Sequence, residues 1–375
     1  MKRVITVMVG LALIAPIGAR PSAQTPAPAP QIQNGRVDVR PGAAIDREIA
    51  AASPKSSTDP IWIGWRVPMV PGDRDMCGWY SDRQGSVRGT WLDDGVDVGA
   101  GRPTITQPKG PIPLEAGTGL VVLVRAIGGA VERIRTAGDD CPMDAGGRTV
   151  IWLSNVTPVE SVRFLTTLAA PSATDRSMFD MERQTASTAV RAIGLHAAPS
   201  ADATLESIAV KHPDSSVRHQ AANSLGAYRG ASGVAALSKM LAAIPAGSTR
   251  EADERRSLVT SIGQSREAAG VDALRGLTKD ADARVRSEAW YYYVVRGGPA
   301  TIPDAIKAAA SDPDESVRKR AVTAIGRVPG DAGVTALLQL ARATDNPIAR
   351  KEAISALSQS KDPRAVALME EILKR

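Results

Sequence analysis

Residues 312–328 read DPDESVRKRAVTAIGRV, and this stretch has three close relatives in the same chain. They are HPDSSVRHQAANSLGAY at residues 212–228, DADARVRSEAWYYYVVR at 280–296 and TDNPIARKEAISALSQS at 344–360. With two more distant copies they form a series in which each copy carries one anchor arginine, 31 to 37 residues from the next. The anchor arginines are Arg183, Arg218, Arg255, Arg286, Arg318 and Arg350. This period predicts an α-solenoid, in which each helix pair buries its apolar face only against its neighbours.

The residues around each anchor have helical spacing. Small or apolar residues follow three and seven positions later, as Ala321 and Ile325 follow Arg318, and this spacing places them on one helix face. A second apolar-periodic segment comes after each anchor helix, for example AGVTALLQLARA at residues 332–343. The two segments are the predicted helix pair.

A polar residue lies four positions before most of the anchors. These residues are Asp214, Glu251, Asp282, Asp314 and Asn346. At a turn between helices, such a side chain can cap the second helix. It can also accept a charge-assisted hydrogen bond from the anchor arginine of an adjacent repeat. We therefore interpret the arginines and their partners as a structural ladder, in preference to an anion-binding stripe.

These repeats resemble HEAT repeats, of the shorter kind also found in phycobilisome lyases. The resemblance covers residues 158–375 and implies a mainly α fold, an α-solenoid of about six HEAT-like helix pairs. PRAVALMEEILKR, at residues 363–375, is predicted to be a lone helix that closes the stack. In the family, the arginine-bearing helix lines the concave surface, and the usual function is to bind proteins or peptides. As a whole, the chain resembles secreted bacterial HEAT-repeat proteins with a cysteine-containing N-terminal domain.

The N-terminus has the pattern of a cleavable signal peptide. Lys2 and Arg3 precede an apolar run at residues 4–17, and small residues follow. We assign residues 1–24 to the signal peptide, and 25–58 to a Pro/Ala-rich linker and a mixed segment with one short helix. The expected location is periplasmic or secreted. No apolar run beyond the N-terminus is long enough to span a membrane.

Residues 59–157 predict a small β-rich domain that precedes the solenoid. Segments rich in Val, Ile and Trp, such as IWIGWRVPMV at 61–70, are separated by Gly, Pro and Asp. Five to seven strands are expected. Cys77 and Cys141 are the only cysteines, and in an oxidising compartment an even pair is most simply a disulfide. A two-thiolate metal site and a redox pair are the alternatives, without a CxxC spacing or a neighbouring histidine to support them.

We find no sequence pattern that indicates catalysis. The chain lacks HExxH, GxSxG and P-loop motifs, and we interpret His196, His212 and His219 as exposed or capping residues. Two acidic loops, at residues 92–101 and 138–144, are candidates for calcium, but solvated turn carboxylates are the favoured interpretation. We expect a non-enzymatic protein without a cofactor.

The copy at 280–296 departs most from the others. Trp290, Tyr291 and Tyr292 stand where other copies have smaller residues, and aromatic residues are enriched at binding hot spots. They are the candidate partner-binding residues; the alternative is that they fill space between repeats. The predicted function is an exported scaffold that binds a protein or peptide on the concave face.

Two other functions are weighed as alternatives. A lyase-like or chromophore-binding role follows from the repeat subtype alone. Nucleic-acid binding is disfavoured by charge. The formal net charge of +6 falls to +3 when residues 1–24, with three basic and no acidic side chains, are removed, and acidic residues are interspersed with the basic ones.

Overall fold

The computed structural model describes most of the chain beyond the N-terminus. The described residues are 31–42, 44–72, 74, 76–82, 85–93, 117–171, 179–245, 249–343 and 345–374, without the side chains of 79–87, 179–183 and 249. The predicted signal peptide, residues 1–24, lies outside them.

The first part of the chain is built on a mixed five-stranded sheet. The strands are Ile32–Gln33 (β1), Arg36–Arg40 (β2), Ile61–Pro68 (β3), Trp79–Asp82 (β4), Gly85–Arg88 (β5), Thr90–Trp91 (β6), Gly119–Ile127 (β7), Ala130–Gly138 (β8), Met143–Asp144 (β9) and Thr149–Leu153 (β10). The sheet has the order β2-β10-β3-β7-β8. Its first three strands are parallel, while β7 and β8 are antiparallel. Thus the predicted β-rich part is present.

Strand β2 corrects the predicted start of the β-rich part at residue 59. It pairs in register with β10, from Arg36 opposite Thr149 to Arg40 opposite Leu153. Residues assigned to the mixed segment therefore supply an edge strand, and β1 pairs with β9 in a second, three-stranded sheet. The short helix predicted in the same segment is α1, Ile45–Ala52.

The two faces of the main sheet bury different clusters, because side chains alternate along each strand. On β3, Ile63 and Trp65 belong to one cluster and Trp62 to the other. The face with Trp65 packs against helices, and the Trp65 ring meets Phe164 edge-on at 5.7 Å between centroids. The opposite face lies under the small sheet of β1, β9 and β6.

The predicted disulfide between Cys77 and Cys141 belongs to the second of these clusters. The two residues are 64 apart in sequence and their Cα atoms are 5.3 Å apart. Cys141 is buried beside Trp62 and Met143. In the chain-entropy model, a disulfide that closes a loop of this length stabilises the fold by roughly 4 kcal/mol.

Helices form the rest of the described chain. They are Ile45–Ala52 (α1), Pro158–Ala169 (α2), Phe179–Leu195 (α3), Ser200–Lys211 (α4), Ser215–Tyr228 (α5), Gly230–Ala243 (α6), Thr249–Ile262 (α7), Ala268–Leu277 (α8), Ala283–Gly297 (α9), Ile302–Ser311 (α10), Glu315–Ile325 (α11), Asp331–Arg342 (α12), Pro347–Leu357 (α13) and Pro363–Leu373 (α14), with a 3-10 turn at Gly298–Thr301. Among the described residues, no helix is both long and apolar enough to cross a membrane.

The helices from α2 onward stack in two layers. The A layer consists of the even-numbered helices α2 to α14, and the B layer of the odd-numbered helices α3 to α13, which carry the anchor arginines. Each B helix packs against the next one in the layer and against its own A helix. The predicted solenoid of about six helix pairs, with α14 as a lone final helix, is confirmed.

The sheet and the solenoid share one hydrophobic core. A single cluster of buried side chains runs from Ile63 and Trp65 on the sheet to Leu368 on α14. The two parts are also joined through the backbone, because the N–H of Val70 donates to the carbonyl of Leu195 at 2.9 Å and that of Ala197 to Pro68 at 3.0 Å. The boundary at residue 158 is therefore a change of secondary structure within one core.

A buried hydrogen-bond chain crosses this junction. Trp65 Nε1–H donates to Ser161 Oγ at 2.7 Å, and Ser161 Oγ lies 2.7 Å from His196 Nε2. His196 Nδ1 lies 2.7 Å from the carbonyl oxygen of Ala192, which can only accept, so Nδ1 carries the proton and Nε2 accepts from Ser161. The prediction that His196 is an exposed or capping residue is wrong, since it is fully buried.

Burial of His196 makes the junction sensitive to acid. The pKa of His196 is lowered from 6.5 to about 4, mainly because the side chain is removed from water. The hydrogen bond to Ala192 opposes this shift, and the charge of Arg229 adds to it. At pH values between 4 and 6.5, His196 binds a proton in the unfolded chain but not in the folded chain. The stabilisation is therefore complete above pH 6.5 and is lost as the pH falls towards 4, by about 3 kcal/mol in all.

We predict that a His196→Gln variant, which has no group that titrates here, removes this dependence. Free energies of unfolding from urea titrations at pH 7 to 4.5 should decline more steeply for the wild type than for the variant. Carboxylates titrate in both proteins and cancel in the difference. Parallel pH profiles would contradict the assignment of a neutral, buried imidazole.

Candidate partner-binding face

The turns before the B helices hold the predicted capping residues. Asp214, Asp282 and Asp314 each accept a hydrogen bond from a backbone N–H of the first helical turn, at 2.7 to 2.8 Å. Asn346 accepts one from Ala349 at 3.0 Å. The prediction of caps at these four positions is confirmed. Glu251 lies inside the first turn of α7 instead, because that helix already begins at Thr249.

The ladder between repeats uses other carboxylates than those predicted. Arg255 donates to both carboxylate oxygens of Asp280, at 3.1 and 2.5 Å. Arg286 does the same to Asp312, at 3.1 and 3.0 Å. Asp280 and Asp312 stand two residues before the caps Asp282 and Asp314. The prediction that Asp282 and Asp314 accept the anchor arginines is thus wrong, because the residues that cap the helices and those that pair with the arginines are different.

The geometry of the turn explains why Asp312 pairs with the arginine while Asp314 caps the helix. Asp312 Oδ1 also accepts from the backbone N–H of Asp314 at 2.9 Å. This hydrogen bond orients the carboxylate independently of Arg286. The cap side chain is directed at its own helix N-terminus. The bidentate hydrogen bonds to Asp312 are the main cause that raises the pKa of Arg286. Both side chains are almost buried, 12% and 10% exposed, so this pair is worth more than a surface ion pair.

The remaining anchor arginines are placed as follows. Arg218 and Arg318 each donate to two carbonyl oxygens of the turn that precedes their own helix. The backbone N–H of Arg350 donates to Asn346 at 2.9 Å, and the side chain of Arg183 lies outside the described residues. His212 stands at the position of Asp280 and Asp312, and its Nδ1 accepts from the N–H of Asp214 at 3.1 Å. A capping role for His212 is confirmed.

The aromatic residues of α9 fall into a buried and a half-buried group. Tyr293 is buried, and its hydroxyl donates to Asp304 at 3.0 Å. The ring of Trp290 packs edge-on against it at 5.8 Å between centroids. Trp290 is therefore half-buried, and it packs against the hydrophobic core next to Tyr293 of its own helix.

Tyr292 fills the space left by a glycine in the preceding B helix. A β-carbon added to Gly263 would lie 2.3 Å from Cγ of Tyr292, which means that the ring lies on the backbone of α7's C-terminus. Burial is the main cause that raises the pKa of Tyr292, and Glu288 and Tyr291 add to it. The space-filling interpretation holds for this residue.

Tyr291 is also half-buried, but its ring contacts the next B helix, α11. The guanidinium of Arg320 lies over its ring, 3.9 Å from the centroid, and also donates to Glu288 at 3.2 Å. Tyr291, Arg320 and Glu288 thus form a triad that bridges α9 and α11. An interaction of this type between a cation and an aromatic ring is worth about 0.5–2 kcal/mol.

The triad lies in a row of otherwise small polar side chains. The residues five positions after the six anchors are Thr188, Asn223, Thr260, Tyr291, Thr323 and Ser355, all partly or fully exposed. Some of them join adjacent repeats, since Ser261 donates to Asn223 at 2.9 Å and Thr323 to Glu352 at 3.0 Å. Tyr291 is the aromatic member of this polar row.

The acidic loops of the first part are engaged by cations or backbone N–H groups. Asp93 is buried and pairs with Arg148, Asp139 with Arg66 and Asp140 with Arg88. Asp144, also buried, accepts from the N–H of Gly146 at 2.7 Å. The favoured interpretation as solvated turn acids is therefore wrong for Asp93 and Asp144. Asp94 and Asp97 lie outside the described residues, and the described part of the chain holds no cluster of three or more His, Cys, Asp or Glu side chains arranged for a metal.

The structure also contains a cleft that the sequence analysis did not predict. We call it the junction cleft; it has a volume of about 480 Å³ and lies between the loop after β3 and the C-terminal ends of B helices. Its walls include Val70, Gly72, Arg74, Tyr228, Arg266 and Arg296. These residues come from four separate segments, so no local sequence signal joins them.

Comparison with known proteins bears on the repeats. A family model described as HEAT repeats matches residues 173–253 and 302–375. No curated protein matches the chain. The stretch between the two matched segments contains α9, with Trp290, Tyr291 and Tyr292.

Two solved structures are similar to this chain at low identity. The complex of CpcE and CpcF of phycocyanin lyase from Nostoc sp. PCC7120 is 19% identical, covers 56% of this chain and 80% of its own, and has a TM-score of 0.29. Human deoxyhypusine hydroxylase in complex with glycerol is 16% identical, with coverages of 57% and 90% and a TM-score of 0.30.

The corrected ladder can be tested by a double-mutant cycle. We expect Arg286→Gln and Asp312→Asn to show a coupling free energy of about 1–3 kcal/mol in urea unfolding, because each removes the same bidentate pair. Asn at 312 keeps an oxygen for the N–H of Asp314, so the turn is preserved. The matched cycle of Arg286→Gln with Asp314→Asn should show less than about 0.5 kcal/mol. Equal coupling free energies in both cycles would contradict the assignment of Asp312 as the partner of Arg286 and of Asp314 as a helix cap.

Proposed function

From the premise that this is a HEAT-repeat protein, we propose that it acts as an exported, non-enzymatic scaffold which binds a protein or peptide on the B-layer face of its solenoid. Solenoids of stacked helix pairs present an extended curved surface and are commonly used for such binding. The partner contacts that we assign centre on α9 and α11.

The triad of Tyr291, Arg320 and Glu288 carries this proposal. Tyr and Arg are enriched among the residues that dominate binding energies. Here the two side chains are held together in advance, the guanidinium stacked at 3.9 Å over the ring and fixed from its other side by Glu288. Preorganised side chains lose little conformational entropy when a partner binds. The neighbouring polar row provides hydrogen-bonding groups along the same face.

The proposal assigns different roles to the three aromatic residues that the sequence singled out. Tyr291 is the contact residue. Tyr292 supports it, since the two rings meet edge-on at 5.1 Å between centroids and Tyr292 rests on Gly263. Trp290 belongs to the packing of the core, next to Tyr293 on the same helix. A double change of Tyr291 and Tyr292 would therefore mix loss of binding with loss of stability.

We predict that Tyr291→Ala weakens partner retention at least tenfold while the melting temperature changes by no more than about 2 °C. The mature chain and its variants would be immobilised and exposed to an envelope extract of the native host, and retained proteins quantified by mass spectrometry. Ser355→Ala, an exposed position in the same row, is the matched control and should retain the partner. Tyr292→Ala should instead lower stability by roughly 2 kcal/mol.

Two results would count against this assignment. A partner retained equally by the wild type and by Tyr291→Ala would place the binding surface elsewhere. A large drop in melting temperature for Tyr291→Ala would make this residue part of the packing, like Tyr292.

Export is the second element of the proposal and rests on residues 1–24. The basic pair Lys2 and Arg3, the apolar run and the small residues after it form the three regions of a signal peptide. An oxidising compartment also suits a chain whose two cysteines form a disulfide.

We predict that the full chain, produced in a Gram-negative host, is recovered from the periplasm with a new N-terminus shortly after the apolar run, as determined by mass spectrometry. Leu13→Arg places a charge within that run and should retain the uncleaved chain in the cytoplasm, whereas the conservative Leu13→Ile should be exported. Uncleaved wild-type protein in the cytoplasm would exclude the signal-peptide assignment.

A further inference from the structure

The junction cleft concentrates positive charge from two parts of the fold. Arg74 comes from the loop after β3, Arg266 from the loop between α7 and α8, and Arg296 from the end of α9. The acidic side chain in its lining is that of Glu267, which is exposed. Asp73 and Asp75, next to Arg74 in sequence, lie outside the described residues.

Contacts within the described structure orient two of the three guanidinium groups, those of Arg74 and Arg296, without neutralising their charge. Arg74 donates to the carbonyl of Val70 at 3.0 Å and lies over the ring of Tyr228, 5.3 Å from its centroid. Arg296 uses its Nε–H for the carbonyl of Gly263 at 2.6 Å, which leaves its two terminal nitrogens for other acceptors. None of the three arginines forms a salt bridge with a described carboxylate.

Arg229, at the edge of the same cleft, differs from these three arginines because its charge is paired and each of its guanidinium nitrogens donates within the fold. It pairs with Asp202 and donates to the carbonyl oxygens of Gly194, His196 and Ala198. Its side chain is 9% exposed. Arg266, eleven positions after its anchor just as Arg229 is after Arg218, is exposed and has no such set of acceptors in the described chain.

Two helix N-termini add to the positive potential. Helix α6 begins at Gly230 and α8 at Ala268, and the residues that precede them, Arg229 and Glu267, provide no side-chain cap. Gly230 lines the cleft with a positive φ of 55°. A helix start carries a partial positive charge. Burial and the charge of Arg266 both lower the pKa of Arg74, as expected where like charges gather, although a guanidinium stays protonated.

We propose that the junction cleft is a binding site for an oxyanion, a phosphate or carboxylate group at the end of a ligand. In this proposal Arg74 and Arg296 donate hydrogen bonds to the anion, the exposed Arg266 contributes charge, and Tyr228 covers the carbon framework next to the anion. A cleft of about 480 Å³ holds a small molecule or the end of a chain. The site is separate from the triad on α9 and α11, so this inference does not depend on the proposed function.

The test uses the mature chain with inorganic phosphate and with acetate as probes. Each is titrated against sodium chloride at equal ionic strength, and the melting temperature reports binding, since a ligand of the folded state stabilises it by mass action. Phosphate binding is measured in parallel by ³¹P line broadening. We expect at least one probe to bind the wild type, and Arg74→Gln/Arg266→Gln to weaken its affinity at least tenfold.

Two further variants keep the outcome interpretable. Arg266→Gln alone changes an exposed residue, so it should leave the ligand-free melting temperature unchanged and still weaken binding severalfold. Arg256→Gln removes the same charge from an exposed position of α7, about 12 Å along the helix from Gln264, and should bind like the wild type.

The outcomes separate the two sources of the anion. Tighter binding of phosphate than of acetate assigns a phosphorylated ligand, and equal or tighter binding of acetate assigns a carboxylate. A response to both probes no larger than that to chloride, or an equal loss in the Arg256→Gln control, would overturn the proposal.

Discussion

A helix pair of this chain cannot bury its own apolar face, and the rest of the structure follows from that constraint. Each pair needs a neighbour on both sides, so both ends of the stack must be closed. At one end, the sheet face with Ile63 and Trp65 continues the core of the solenoid. At the other end, α14 buries only a narrow stripe with Ala365 and Leu368, and leaves Leu373 exposed. The β-rich part is therefore the N-terminal cap of the solenoid, and its disulfide stabilises the side of the sheet that faces away from the helices.

Polar contacts set the register that apolar packing leaves open. Stacked alanine and leucine faces could slide, whereas a carboxylate fixed by its own turn, such as Asp312, accepts Arg286 from one direction only. Such contacts specify the stacking between neighbours. Where a large residue interrupts the regular packing, the preceding repeat makes room for it, as Gly263 does for Tyr292. The divergent copy is thus accommodated within the stack, and the half-buried Tyr291 contacts Arg320 of the next B helix.

The sequence predicted what is local and periodic, and missed what depends on three-dimensional placement. The period of the anchors predicted the helix pairs, and the residues four positions before them predicted four caps. Which carboxylate meets Arg286 depends on side-chain direction in a turn, so Asp312 and Asp314 could not be told apart. Strand β2, RVDVR, does alternate polar and apolar residues, but its five residues do not indicate that it pairs in parallel with β10 more than a hundred residues later. His196 was missed because burial of a polar residue becomes visible only with its partners.

The junction cleft connects these two levels of organisation. Its wall at Arg74 belongs to the cap. Its wall at Arg266 follows the second helix pair beyond α3, and its wall at Arg296 belongs to the third. An anion bound there contacts both parts of the fold, so its binding free energy adds to that of the interface between them. The neutral His196 acts on the same interface from within, through Ser161 and Trp65, and its carbonyl accepts from Arg229 at the cleft edge. Anion concentration and pH are therefore both expected to change the stability of one interface, that between the β-rich part and the solenoid. The triad on α9 and α11, in contrast, is held by contacts within the stack of helices.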